Sequence, residues 1–208
     1  MLAPHIDDDA IGCGGTLAKH AGSGDEIAVL YFADCTPERR REATRAASII
    51  GIKDGRLGFL EYASKGLFDH RKDAAERLKA EIDSFKPSIV YPPSLFDRHN
   101  DHLAVNHILA DVLGGMRDGP AFSICAYEVW TPLAPNLIVD ISETIDKKKA
   151  AVAEFKSQLA SNDWLDAAVC LNRYRAITNG AGRYAEGFMM HSASDYLNLW
   201  KKVFLALR

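Results

Sequence analysis

Short apolar runs of β-forming residues alternate with amphipathic stretches through the first half of the chain, and this alternation restricts the fold more than any other feature. Glu26–Ala33 is one such run. Pro37–Ile50 follows as a helix, with Thr36 placed to cap it, Pro37 suited to its first turn and Gly51 to end it. Arg56–Tyr62 reads as a strand, and Lys72–Phe85 as an amphipathic helix stopped by Lys86-Pro87. Ser88–Tyr91 is a strand closed by Pro92-Pro93, and Asp101–Leu113 a helix ahead of Gly114-Gly115. Repeated strand–helix–strand units imply an α/β protein with a mostly parallel sheet flanked by helices. Phe122–Trp130 and Leu137–Ile141 read as an added β section near the C-terminal half, Glu143–Leu159 as one long helix, and Tyr196–Leu205 as an amphipathic C-terminal helix. With no repeat or linker, residues 1–208 read as a single domain.

The net charge of −3 gives no electrostatic case for nucleic acid or an anionic membrane. No apolar run has the length of a membrane span, and no signal peptide is visible, so a cytoplasmic protein is expected. Cys13, Cys35, Cys125 and Cys170 are widely spaced and read as reduced, mostly buried thiols. Trp164, Trp200 and the C-terminal helix either close the core or support a homo-oligomer. Only Met1–Pro4 precede the first polar cluster, short of the usual strand of about five or six residues. The first strand is therefore very short, or starts upstream of Met1.

In an open parallel sheet, ligands gather at the carboxyl ends of strands. His5-Ile6-Asp7-Asp8-Asp9 follows the first strand, Asp34 the second, and Arg98-His99-Asn100-Asp101-His102 the strand Ser88–Tyr91. Either charged cluster alone would serve as a capped helix start with solvated acids. Together on one sheet edge they read as a metal site. His5 and Asp8 are three apart on a turn entering a helix, as are His99 and His102 at a helix start. Two ligands from the first cluster and one histidine from the second make a two-histidine, one-carboxylate set suited to zinc or ferrous iron. Metal-assisted hydrolysis also uses a general base, for which Asp7 is placed, and a donor or acid, which His99 offers. Asp101 is placed to orient a histidine. The run Gly12-Cys13-Gly14-Gly15 matches no phosphate loop, and close packing of helix on sheet explains it better.

These residues resemble the PIG-L/LmbE-like zinc N-deacetylases, whose first motif is usually His-Pro-Asp-Asp-Glu and whose second is His-x-Asp-His. The resemblance continues in Arg39-Arg40-Arg41-Glu42, Tyr127-Glu128-Val129-Trp130, Pro135-Asn136 with Val139-Asp140-Ile141, Lys156-Ser157-Gln158 and Tyr184-Ala185-Glu186-Gly187-Phe188, so it covers nearly the whole chain. It implies a Rossmann-like fold, with zinc on His5, Asp8 and His102. Asp7 would be the general base, and His99 would stabilise the oxyanion or protonate the leaving amine. Asp101 would tune its histidine neighbours and Arg39 would contact substrate. The implied reaction removes acetyl from an N-acetylated amino sugar or small sugar conjugate of the N-acetylglucosamine type. An amidase acting on a larger amide of a sugar–thiol conjugate, or a non-catalytic carbohydrate-binding protein with a structural metal, is the alternative. Ile6, Asp9 and Lys156 depart from the family pattern, standing where proline, glutamate and, in several relatives, histidine occur.

Overall fold

Three parallel strands start the chain: β1 (Leu2–Ala3), β2 (Val29–Ala33) and β3 (Leu57–Tyr62), in the spatial order β1-β2-β3. The computed structural model describes residues 1–53, 55–116 and 121–205. A second sheet holds β4 (Ile89–Val90), β5 (Ser123–Tyr127), β6 (Leu137–Asp140) and β7 (Ala185–Ser192), in the order β4-β5-β7-β6. β4 runs parallel to β5, and β7 antiparallel to both β5 and β6. A backbone bond from Leu2 N to Tyr91 O (2.9 Å) joins the sheets, setting β1 beside the chain leaving β4. The parallel part and the added antiparallel section follow the sequence expectation.

Eight helices cover this framework among the described residues: α1 (Asp8–Gly22), α2 (Pro37–Ile50), α3 (Arg71–Phe85), α4 (Asn100–Gly115), α5 (Ile145–Val152), α6 (Lys156–Leu159), α7 (Trp164–Asn179) and α8 (Ala193–Phe204). Side chains alternate across a strand, and β2 shows the result. Val29 and Tyr31 enter one core with Leu17 of α1, Ile50 of α2 and Phe155, while Leu30 and Phe32 enter another with Leu78 of α3, Ile108 of α4 and Tyr196 of α8. A parallel sheet covered on both faces needs such a continuous apolar strand. Trp200 and Tyr196 lie in the second core, so this face of α8 closes the chain's own interior. Among the described residues, no helix is long and apolar enough to cross a membrane.

α2 keeps its sequence-derived bounds, with Thr36 Oγ1 accepting from Arg39 N (3.3 Å) and Gly51 in the left-handed region at φ 101°. The stretch 143–159 departs from its reading as one helix. It breaks into α5 and α6 because the intervening turn buries Phe155 and lets Ser157 N and Oγ donate to buried Glu42 (2.9 and 2.6 Å). α4 runs on through Gly114 and Gly115. The sequence reading missed α7 and β7; β7 carries Glu186 and Gly187 near its start and shows no clean alternation. Of the cysteines, Cys13 and Cys125 are buried, Cys35 is half-buried and Cys170 is exposed, all free.

The glycines of α1 are packing residues. A Cβ on Gly12 would sit 2.3 Å from Cδ2 of Tyr127, and one on Gly15 would sit 2.7 Å from Ile141. α1 therefore lies directly on β5 and the chain after β6. Gly12→Ala should lower the stability by about 1–3 kcal/mol through overpacking. Gly22→Ala, with nothing within 4 Å of the added carbon, should change it by at most about 1 kcal/mol; thermal melts of the two variants compare them directly.

Candidate active site

The turn from β1 into α1 sets the first half of the site. His5 N donates to Asp8 Oδ2 (2.9 Å), and Ala10 N and Ile11 N donate to Asp7 O (both 3.0 Å), so the helix starts at once. Asp7 takes φ 151°, a conformation that L-residues rarely adopt and that costs about 1–3 kcal/mol where it is held. The second half comes from the chain between β4 and α4. His99 caps α4, its Nδ1 accepting from Asp101 N (3.2 Å), and Asp101 and His102 lie in the buried first turn.

These halves meet. Asp8 Oδ2 lies 3.3 Å from His5 Nδ1 and 3.2 Å from His102 Nε2. His5, His99 and His102 each offer a ring nitrogen, all within 4.8 Å of one another. The far side of each buried imidazole faces a carboxylate: His5 Nε2 bonds Asp101 Oδ2 (3.0 Å), and His102 Nδ1 lies 3.3 Å from Asp97 Oδ2. Asp101 is itself fixed by Lys65 N (2.9 Å) and Ser64 Oγ (3.2 Å). Asp97 accepts from His99 N (3.0 Å) and Trp130 N (3.2 Å). Ring nitrogens that face ligands on one side and carboxylates on the other are the pattern of metal-ligating histidines.

The donor set fits a divalent ion on a second ground. His102 is fully buried, yet neither ring nitrogen makes an aligned hydrogen bond despite the nearby carboxylates. A buried polar atom left unsatisfied is costly, and a cation shared with Asp8 would satisfy Nε2. His5, Asp8, His102 and His99 are the residues able to hold it.

Burial and crowding shift the charges. Burial by itself would lower the His5 pKa, but Asp101 and Asp8 outweigh it and raise it to about 10. The same contest, won by Asp8 and Asp97, raises His102 to about 9. Burial opposes ionisation of Asp8, but His102 and His5 overcome it and hold Asp8 well below the usual carboxylate range. Asp7 moves well above that range, through burial and then the charge of Asp8, with His5 and Arg39 opposing. Burial and the positive neighbours His5 and His102 lower His99. Burial pushes Asp101 up, yet the His5 bond and Lys65 N prevail and hold it at about 2.

The remaining sequence candidates divide. Arg39, in the first turn of α2, binds Asp34 Oδ2 (3.2 Å). In the amide orientation that satisfies both groups, Gln158 Oε1 accepts from its Nε (2.7 Å) and Nη2 (2.5 Å). Asp9 points away from the histidines and accepts from buried Tyr31 OH (2.8 Å). Lys156 is exposed. Sequence reasoning missed Asp97; its only signal was an acid five residues before His102. It also missed an aromatic wall, in which half-exposed Trp130 stacks obliquely near His99 (centroids 5.6 Å apart) and edge-on to Trp164 (4.8 Å).

With this geometry in place, comparison with known proteins is informative. Residues 1–113 match the family model for PIG-L, described as GlcNAc-PI de-N-acetylase, and the chain belongs to that family. It is 26% identical over 194 residues to a diacetylchitobiose deacetylase from Thermococcus kodakarensis, covering 78% of this chain and 70% of that one. The structure of a conserved protein from Thermus thermophilus superposes with a TM-score of 0.80 at 31% identity, over 90% of this chain and 91% of the other. A 4-carboxy-2-hydroxymuconate hydratase from Pseudomonas putida superposes at 0.73 and 24% identity, over 91% and 93%, and shares the fold alone. The fold thus carries more than one chemistry, and the reaction must be argued from the site.

The raised pKa values of His5 and His102 mean that both rings are protonated at pH 7 in the metal-free protein. A divalent ion must displace those protons, so affinity should fall as pH falls below about 10 and more steeply below about 9. Calorimetry in buffers of different ionisation enthalpy should find about two protons released per zinc at pH 7. Asp97→Ala should weaken zinc binding about 10–100-fold by freeing the His102 ring, measured by competition with a chromogenic chelator.

Proposed function

We propose that this protein is a metal-dependent hydrolase that removes the acetyl group from an N-acetylated amino sugar or small sugar conjugate of the N-acetylglucosamine type. The observation that carries this reading is the meeting of His5, Asp8 and His102 around one point, with Asp7 beside it. Family membership and the activity of the T. kodakarensis relative support it. His5, Asp8 and His102 are the ligands in this reading, with zinc as the ion and ferrous iron as the substitute the same donors accept. When bound, the ion supplies Lewis acidity, polarising the acetamide carbonyl and acidifying water.

The chain's own groups do the rest. Asp7 is buried beside Asp8, and burial and that charge raise its pKa above that of a free carboxyl, as a general base requires. It takes a proton as the water oxygen attacks the acetamide carbon. His99 has its Nδ1 occupied as an acceptor for Asp101 N, which leaves the proton of the neutral ring on Nε2. That N–H donates to the oxyanion. Of the two roles implied for His99, this network and its lowered pKa favour the oxyanion donor. Asp7 then passes its proton to the leaving nitrogen, the C–N bond breaks, and acetate and the free amine depart. Asp101 holds the His5 ring in place through Nε2. Arg39, braced by Asp34 and Gln158, is the substrate-contacting arginine, and Trp130 offers a flat apolar surface for a sugar ring.

Acetate release from N-acetylglucosamine and diacetylchitobiose, measured alongside metal content, tests this reading. Asp7→Asn should retain the metal and lose about 10²–10⁴ in turnover. His102→Ala should lose metal and activity together. Full activity in Asp7→Asn would remove the base assignment, and full activity in folded, metal-free protein would remove the mechanism.

A further inference from the structure

Arg39 and Trp130 flank the histidine cluster from opposite sides. Joined at the Leu2–Tyr91 bond, the two sheets run in the order β3-β2-β1-β4-β5-β7-β6. β1 leads to His5, β2 to Asp34 and Arg39, β4 to His99 and His102, and β5 to Trp130. Adjacent strands lie about 4.8 Å apart, so the chains leaving β2 and β5 are separated by about 14 Å. The rings follow the same order, with His99 4.6 Å from His5 and 5.6 Å from Trp130 between centroids.

A singly exposed apolar side chain is ordinary on a protein surface and means nothing alone. Trp130 differs in being held. Trp130 N donates to Oδ2 of Asp97 (3.2 Å), the acid that faces His102, and Arg98 N donates to Thr131 Oγ1 (3.2 Å). Buried Arg175 ties down Leu133 O (2.6 Å) in the same segment, and Trp164 packs edge-on to the indole (4.8 Å). Trp130 is nevertheless 48% exposed. A large aromatic face, fixed beside the reacting groups yet left to water, is pre-organised for a flat apolar surface.

In the proposed deacetylation the acetamide lies at the point shared by His5, Asp8 and His102, with its sugar ring toward Arg39. A single ring so placed leaves Trp130 uncovered, three strand spacings from the chain that carries Arg39. In an N-acetylglucosaminide the C1 oxygen is vicinal to the C2 nitrogen. A group on C1 therefore leaves the ring beside the acetamide, toward the Trp130 side. We propose that Trp130 is a specificity-determining residue that stacks a second sugar ring joined through C1, selecting two-ring substrates over open-chain glycosides and the free sugar. The C–H groups on one face of a pyranose give the apolar surface an indole accepts, whereas an open chain loses rotational freedom to cover it. This assignment rests on the proposed deacetylation for the place of the acetamide.

The test compares diacetylchitobiose, N-acetylglucosamine and glyceryl N-acetylglucosaminide, whose aglycone is an open chain, on the zinc-loaded protein. kcat/KM should be at least about tenfold higher for diacetylchitobiose than for the other two. Trp130→Ala should bring that preference below about threefold, chiefly through KM, while Trp130→Phe, which keeps a flat face, should retain most of it. Calorimetry on the Asp7→Asn variant should rank the same three compounds by affinity without turnover. If the three compounds react alike, if the open-chain glycoside matches diacetylchitobiose, or if Trp130→Ala keeps the preference, the stacking role is overturned and the deacetylation stands. If nothing turns over but Asp7→Asn prefers diacetylchitobiose and loses this with Trp130→Ala, the stacking role stands and the deacetylation falls. Neither turnover nor binding would overturn both.

Discussion

Everything in this structure is arranged around the cost of burying charge. Asp8, Asp97, Asp101 and His102 are almost wholly withdrawn from water, with Asp7 little more exposed. Isolated, each would shed its charge or destabilise the fold. Asp8, Asp97 and Asp101 persist because each lies against an imidazole or backbone N–H groups, and the arrangement closes only when β1 and β4 are neighbours. The bond from Leu2 N to Tyr91 O enforces that adjacency. An unpaired cluster would be a liability, whereas one that can hold a divalent ion is a site.

The rest of the chain keeps α1 where the cluster needs it. Glu186 of β7 accepts from Gly15 N (2.9 Å) and Thr16 N (2.8 Å) of α1 and pairs with buried Lys148 of α5 (2.6 Å). Gly12 lets the Tyr127 ring lie against the helix, and Tyr127 OH donates to Leu2 O (3.0 Å). α1 is therefore gripped from the antiparallel section, far from its own end, while its start presents Asp7 and Asp8. A second buried pair, Arg175 with Glu128 (2.9 and 2.6 Å), also ties down Leu133 O (2.6 Å), fixing the segment that carries Trp130. Positioning residues thus come from the C-terminal half, although the candidate site residues come from the first half.

Much of this was legible in the sequence. The run VLYFA and the capped segment 37–50 identified themselves, because local propensity and burial agree there. His5, Asp7, Asp8, His99, Asp101 and His102 were all singled out, because charged residues at the carboxyl ends of apolar strands have few other reasons to be there. β7 was not legible, since Glu186 and Gly187 near its start serve partners distant in sequence. Asp97 was also hidden. A lone acid in a loop has no local signal, and its role depends on two backbone N–H groups and one ring that meet only after folding.

The sequence by itself determined the inventory of chemistry, the alternation that forces a parallel sheet, and the sheet edge on which the candidate site residues fall. Those follow from periodicity and composition, which act within a few residues. Only the tertiary structure decided which imidazole faces which carboxylate: Asp101 on His5, not on its helix neighbours, and Asp97 on His102. It also decided which nitrogen of His99 is engaged by Asp101 N. These are contacts between residues as much as 96 positions apart. They are set by how two short parallel strands align, and no local pattern encodes that alignment.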